Sequence, residues 1–113
     1  MTRIDRELGN TFGDPSPVIE LPVSWFLDDF PALENLPRSP AMGATETLFV
    51  RWKDHFDFAY ERVPGGVLVL TVHPQTIARA HAFMMFERFV DYVAGHDGAW
   101  LATLGEIAGT YHD

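Results

Sequence analysis

The stretch GGVLVLTVHP, residues 65–74, decides the fold that this sequence predicts. Its two glycines indicate a turn, the aliphatic run 67–72 predicts a buried strand, and His73-Pro74 ends that strand. A continuous run of this kind is typical of a parallel strand that is covered on both faces. Because ligands bind beyond the carboxyl ends of such strands, the position of His73 makes it a candidate functional residue.

The segments around this stretch alternate between strand and helix patterns. Residues 18–25 predict a first strand, and residues 45–60 predict a helix that Thr45 can cap and that has an aromatic stripe at helical spacing. A second helix is predicted over 76–94 and a short strand over 99–102, and a capping box at 103–106 opens a terminal helix. The order predicts an α/β fold: three consecutive βα units that form a parallel sheet with right-handed crossovers.

The predicted organisation is a turn-rich amino-terminal segment, residues 1–17, followed by the α/β part, residues 18–113. Residues 31–43 contain several prolines and predict a long loop. Three strands cannot close a barrel, and helices from short crossovers cover only part of a small sheet. We therefore expect the remaining strand faces to be covered by structure that is missing from this chain or that a partner supplies.

Composition narrows the class of protein. The 113 residues carry a net charge of −8, which argues against nucleic acid and anionic membranes as partners. The chain has no cysteine, which excludes disulfides and thiolate metal sites. No apolar run approaches the roughly 20 residues that span a bilayer, and the amino terminus has no secretory pattern. We therefore expect a soluble, cytoplasmic protein.

Two acidic residues are predicted to share the sheet edge with His73. Asp28 and Asp29 directly follow the first predicted strand, and a nearby carboxylate raises the pKa of a histidine, as a general acid requires. We expect only one of the two to point inward. The alternatives are a histidine that satisfies local backbone groups and aspartates that cap a helix or a turn.

Trp25 and Arg79 are the candidate substrate-binding residues. Trp25 ends the first predicted strand and would form an apolar wall for a substrate, or else pack in the core. Arg79 lies in the first turn of the second predicted helix, where it would pair with Asp28 or Asp29 or extend into solvent. No two histidines have the spacing that builds a metal site on one helix, so the residues alone predict no metal ligand.

Three stretches resemble the carboxyl-terminal part of the polysaccharide deacetylases: LPVSWFLDDFP (21–31), WKDHFDFAYE (52–61) and residues 65–108. The resemblance covers roughly residues 18–108 and is closest to the peptidoglycan-deacetylase and allantoinase-like branch. It implies three consecutive βα units of a distorted parallel (β/α) barrel, incomplete in this chain, whose remainder would be a missing amino-terminal half. It also implies hydrolysis of a non-peptide C–N bond, typically N-deacetylation of a sugar. It also implies a divalent metal, usually zinc, that activates water.

In the family, a histidine near the end of the domain protonates the leaving amine, and His73 matches that position. Asp28 or Asp29 matches an acidic position that supports the pocket. The family's catalytic base and its H-x-x-x-H metal ligands have no counterpart in this chain. The resemblance therefore implies a hydrolase part that acts on an N-acetylated glycan or a small amide and is inactive alone.

Two alternatives stay open at this point. One is a non-catalytic remnant that folds as an oligomer or with a partner chain. The other is a fragment of an allantoinase-like ring amidohydrolase.

Overall fold

The computed structural model describes residues 2–5, 11–36, 39–40 and 43–111. Six helical segments are present in that part of the chain: a 3₁₀ turn (Trp25–Leu27), α1 (Phe30–Leu33), α2 (Thr45–Arg62), α3 (Pro74–Ile77), α4 (Ala80–Ala94) and α5 (Leu104–Gly109). The described strands form two antiparallel pairs, β1 (Thr2–Asp5) with β2 (Thr11–Pro15), and β3 (Asn35–Leu36) with β4 (Ser39–Pro40). No helix in the described ranges is long and apolar enough to cross a membrane.

The chain divides into two compact units. The first consists of residues 1–21 and 102–113, and it contains the β1–β2 pair and α5. The predicted capping box of α5 is confirmed: Thr103 Oγ1 accepts a hydrogen bond from the Glu106 amide, and the Glu106 carboxylate accepts one from the Thr103 amide. The second unit, residues 22–101, contains the remaining elements. The predicted division after residue 17 stays a prediction.

The core of the second unit lies between α2 and α4. The predicted helix over 45–60 is confirmed, although its cap position is Ala44 and not Thr45. Trp52 of α2 is fully buried, and its ring meets the edge of Phe89 of α4 with centroids 5.5 Å apart. The other buried apolar side chains packed in this core are Leu27, Leu33, Leu48, Phe56, Ile77, Ala82, Met85 and Val93. Apolar residues at helical spacing on both helices thus produce one shared interface.

The predicted barrel units are wrong. Residues 67–72 bury Val69 and pack further aliphatic side chains against the helical core, yet they form no strand. Their parallel pairing with the first predicted strand region consists of one bridge, between Asp28 and Thr71. Residues 18–25 and 99–102 also form no strand. The aliphatic pattern correctly predicted burial, but a strand also requires a neighbour along its length, and here two packed helices bury these side chains instead.

Two further boundaries differ from the prediction. The helix expected over 76–94 is interrupted, because α3 ends at Ile77 and Arg79 adopts an extended backbone before α4. The segment 31–43, expected to be a loop, contains most of α1 and the β3–β4 pair. Both differences matter for the site, since α1 and α3 begin at the candidate functional residues.

Candidate acid–base site

A backbone bridge brings the candidate residues together. The Thr71 amide donates to the Leu27 carbonyl at 2.9 Å, and the Asp29 amide donates to the Thr71 carbonyl at 3.2 Å. The bridge fixes the chain two residues before His73 against the chain at Asp29. Each of these two residues then occupies the first position before a one-turn helix, Asp29 before α1 and His73 before α3.

Asp29 and His73 form a closely bonded pair. The Asp29 side chain is fully buried, and the His73 amide donates to its two carboxylate oxygens at 3.1 and 3.0 Å. The ring Nδ1 of His73 lies 2.8 Å from Asp29 Oδ1. An ionised carboxylate only accepts hydrogen bonds, so Nδ1 is the donor. The side chain of His73 is 36% exposed, and its second nitrogen, Nε2, has no hydrogen-bond partner among the residues that the structure describes.

Asp28 makes different contacts from Asp29. Its Oδ1 accepts a hydrogen bond from the Phe30 amide at 2.8 Å, which satisfies a free backbone donor in the first turn of α1. The same oxygen lies 3.6 Å from His73 Nδ1, beyond hydrogen-bonding distance but close enough to act as a charge. The prediction that one aspartate faces the histidine directly therefore applies to Asp29, and the helix-capping alternative applies to Asp28.

The two carboxylates favour the protonated form of His73. The hydrogen bond to Asp29 raises the pKa of the imidazole above its ordinary value, and the charges of Asp28 and Asp29 add to this effect. Partial burial of the ring acts in the opposite direction but is outweighed. The net effect is a raised pKa for an imidazole whose Nδ1 faces the buried carboxylate of Asp29.

The predicted substrate-binding residues are not part of this hydrogen-bonded pair. Trp25 is 77% exposed in the 3₁₀ turn that precedes Asp28. Arg79 does not pair with Asp28 or Asp29; its Nη2 lies 3.0 Å from Glu34 Oε1, and half of its side chain is exposed. The aromatic ring beside the imidazole is that of Phe30, with centroids 5.3 Å apart.

Sequence reasoning missed Glu34 and Thr76. Thr76 Oγ1 donates to Glu34 Oε1 at 2.7 Å, and Thr76 is fully buried. Glu34 lies five residues after Asp29, and Thr76 lies three residues after His73, inside what was predicted to be loop and helix. No local pattern in the sequence indicates that these two residues meet.

The three residues Asp28, Asp29 and His73 offer ligand atoms within 4.8 Å of one another. Oxygen and nitrogen donors of this kind bind zinc in other proteins. Here, however, Asp29 is fully buried and bonded to His73, and Nδ1 carries a hydrogen instead of presenting a lone pair. The arrangement does not fit a zinc ion, and it fits the holding of a proton.

Two curated proteins are similar to this chain. The peptidoglycan deacetylase of Helicobacter pylori is 29% identical over 99 residues, which is 85% of this chain and 34% of that protein. The peptidoglycan deacetylase-like protein FGM2 of Gibberella zeae is 30% identical over 87 residues, covering 64% of this chain and 26% of that protein. No family model matches the chain.

Both relatives are named as a peptidoglycan deacetylase or a protein like one, which confirms the resemblance of this chain to the polysaccharide deacetylases. The chain spans about a third of the length of the first relative and about a quarter of the second.

Proposed function

We propose that this chain supplies the general acid of a deacetylase-like hydrolase that acts on the acetamido groups of a glycan. The observation that carries the proposal is the 2.8 Å contact between His73 Nδ1 and the buried carboxylate of Asp29. The names of the two relatives support the reaction class, peptidoglycan deacetylation in one and a deacetylase-like protein in the other. The substrate is thus expected to be an N-acetylated sugar polymer.

The proposed chemical step is protonation of the leaving amine. Water adds to the acetamide carbon, the C–N bond breaks, and the departing nitrogen takes a proton from His73 Nε2, which yields an amine and acetic acid; the acid then ionises to acetate. The imidazole becomes neutral in this step and regains a proton derived from the attacking water. Asp29 is a positioning residue in this scheme, because it fixes the ring and stabilises the imidazolium. Asp28 supports it as a helix cap and a second negative charge.

Trp25 and Arg79 remain proposed substrate contacts. The exposed indole in the turn that precedes Asp28 offers an apolar face on which a sugar ring can pack, and 77% of Trp25 is accessible. The guanidinium of Arg79 retains exposed donors beside its bond to Glu34. The zinc ion that the family resemblance implies would need ligands other than Asp28, Asp29 and His73. The cytoplasmic location also stays a prediction.

The test uses a chimera, because we expect the 113-residue chain to be inactive alone. The segment of the Helicobacter pylori enzyme that aligns with this chain is replaced by this chain, and acetate release from N-acetylglucosamine oligomers is measured with added zinc. His73→Gln should lower kcat about 10²–10⁴-fold, the usual contribution of a general acid. His81→Gln, which changes an exposed histidine on α4, is the matched control.

Two results would contradict, in turn, the general-acid role of His73 and the expected inactivity of the isolated chain. A chimera whose turnover is unaffected by His73→Gln would remove the general-acid role. If the isolated chain turned over substrate and lost this activity in His73→Ala, the chain would contain its own catalytic base and would not be inactive alone. Parallel assays with a ring amide such as allantoin separate sugar deacetylation from the allantoinase-like alternative.

A second candidate, the non-catalytic remnant that associates with another chain, is supported by a specific observation. Large apolar side chains on the second unit are highly exposed, including Val23 at 70%, Phe26 at 62%, Met84 at 69% and Trp100 at 59%. Exposed apolar patches often mark interaction surfaces. Sedimentation equilibrium of the purified chain tests this candidate: a monomer at all concentrations with one sharp thermal transition would exclude self-association.

A further inference from the structure

A second polar contact joins α1 to α3 beyond the Asp29–His73 pair. Glu34 follows the last residue of α1, and its Oε1 accepts the hydroxyl of Thr76 on α3 and lies 3.0 Å from Arg79 Nη2. The hydrogen bond from Thr76, aided by the charge of Arg79, lowers the pKa of Glu34 below its ordinary value. Glu34 is therefore a carboxylate at neutral pH, and its side chain is only 15% exposed.

The two contacts lie at opposite ends of two very short helices. Asp29 and Glu34 flank the four residues of α1, while His73 precedes the four residues of α3 and Arg79 follows them. Helices of one turn are not stable alone, because nucleation costs more than one turn of hydrogen bonds returns. Packing of Leu33 and Ile77 in the core and polar contacts beyond Asp29 therefore hold α1 and α3 together. The Glu34 contact holds α3 at Thr76 and the chain beyond it at Arg79, three and six residues after His73.

We propose that Glu34 is a positioning residue: by joining the end of α1 to Thr76 and Arg79, it keeps the His73 ring on Asp29. The proposal rests on the proposed function only for its catalytic consequence. The contact between the His73 ring and Asp29 is a property of the folded chain, so it can be measured without any enzymatic turnover.

Glu34 could affect the pKa of His73 through its own charge or by positioning the imidazole ring, and the two effects must be distinguished. The charged groups that act on the imidazole are Asp28 and Asp29, across from it on the α1 side, and the neighbouring ring is that of Phe30. Glu34 forms an ion pair with Arg79, so the two charges largely cancel at the distance of the imidazole. Loss of the hydrogen-bond acceptor at Glu34 should therefore change the pKa of His73, whereas loss of the Glu34 charge alone should change it little.

The experiment is an NMR titration of the His73 ring in the full 113-residue chain, with the signal assigned by its loss in His73→Gln. The Asp29→Asn variant gives the pKa of His73 when its carboxylate partner is lost. Glu34→Ala removes both charge and acceptor, whereas Glu34→Gln keeps the acceptor for Thr76. Glu46→Gln is the matched control, since Glu46 makes an exposed 3.0 Å pair with Arg88 away from the site.

We expect Glu34→Ala to lower the His73 pKa by at least about half of the decrease in Asp29→Asn, because the ring leaves its partner. Glu34→Gln should restore most of the wild-type value, and Glu46→Gln should leave it unchanged. A wild-type titration in Glu34→Ala, or equal shifts in the alanine and glutamine variants, would overturn the proposal.

Should Glu34→Ala fail to fold, the nearly isosteric Thr76→Val decides the question. It removes the hydroxyl that Glu34 accepts and keeps the shape of the buried side chain. A lowered His73 pKa in folded Thr76→Val supports the proposal, and an unchanged pKa refutes it. Altered titration together with an inactive chimera would retain this inference and reject the proposed function.

Discussion

Truncation of Phe89 to alanine measures how strongly the α2–α4 interface holds the second unit together. Phe89 is 4% exposed, and its ring packs edge-on against Trp52 and against Phe49 at centroid distances of 5.5 and 6.4 Å. Loss of a buried phenylalanine side chain removes its transfer free energy and leaves a cavity, at a cost of about 3–5 kcal/mol. A domain of this size has a free energy of unfolding of only about 5–15 kcal/mol.

The matched control is Phe83→Ala on the same helix, where the side chain is 50% exposed. Both substitutions introduce the same residue into α4, so the change in helix propensity is equal in the two variants. Urea unfolding followed by circular dichroism should show a midpoint far lower for Phe89→Ala, with an unchanged slope. The melting temperature should decrease by at least about 12 °C, at roughly 4–8 °C per kcal/mol. Equal stability of the two variants within about 1 kcal/mol would refute an α2–α4 core centred on Phe89.

Three more outcomes follow from the structure. Because Asp29 raises the pKa of His73 above its ordinary 6.5, the pair stabilises the fold fully below about pH 6.5 and loses this effect as pH rises through the raised value. Urea titrations should therefore show wild-type stability falling towards that of Asp29→Asn with increasing pH, and parallel curves would contradict the pairing. Thr103→Ala should destabilise α5 by about 0.5–2 kcal/mol, measured as faster amide exchange in its first turn; unchanged exchange there would argue against the capping box. Gly98→Ala should cost about 1–2 kcal/mol because φ is +82° there, whereas Gly95→Ala, at a helical φ of −76°, should be close to neutral; thermal melts that rank them in reverse would be inconsistent with these backbone angles.

Local patterns predicted the parts of the fold that depend on local physics. The helical spacing of Trp52 and Phe56 required a helix with one buried face, and the structure has that helix and buries both residues. The capping box at Thr103 is also a local feature and was predicted correctly. By contrast, residues 67–72 predicted burial correctly and strand pairing incorrectly, because the same aliphatic pattern suits a strand in a sheet and an irregular segment under two helices.

The sequence predicted that Asp29 and His73 lie close together, but it did not predict the neighbouring contact between Glu34 and Arg79. Asp29 and His73 each follow an apolar segment, and we expected these segments to end side by side. They do so through the single bridge at Thr71, although no sheet forms. Glu34 could not be found in this way, because it lies in a proline-containing segment that predicted only a loop. Its partner Arg79 carries no local signal for the extended backbone that precedes α4.

The separation of Asp29 and His73 along the chain, 44 residues, determines when the pair can form. Closing a loop of that length costs about 3 kcal/mol in chain entropy beyond a constant. During synthesis, α2 is complete before His73 emerges, so this helix already lies within the loop when the pair forms. Formation of the pair therefore requires the chain to close around a helix that is made first. A partly unfolded chain that keeps α2 helical would still have an ordinary, unpaired histidine.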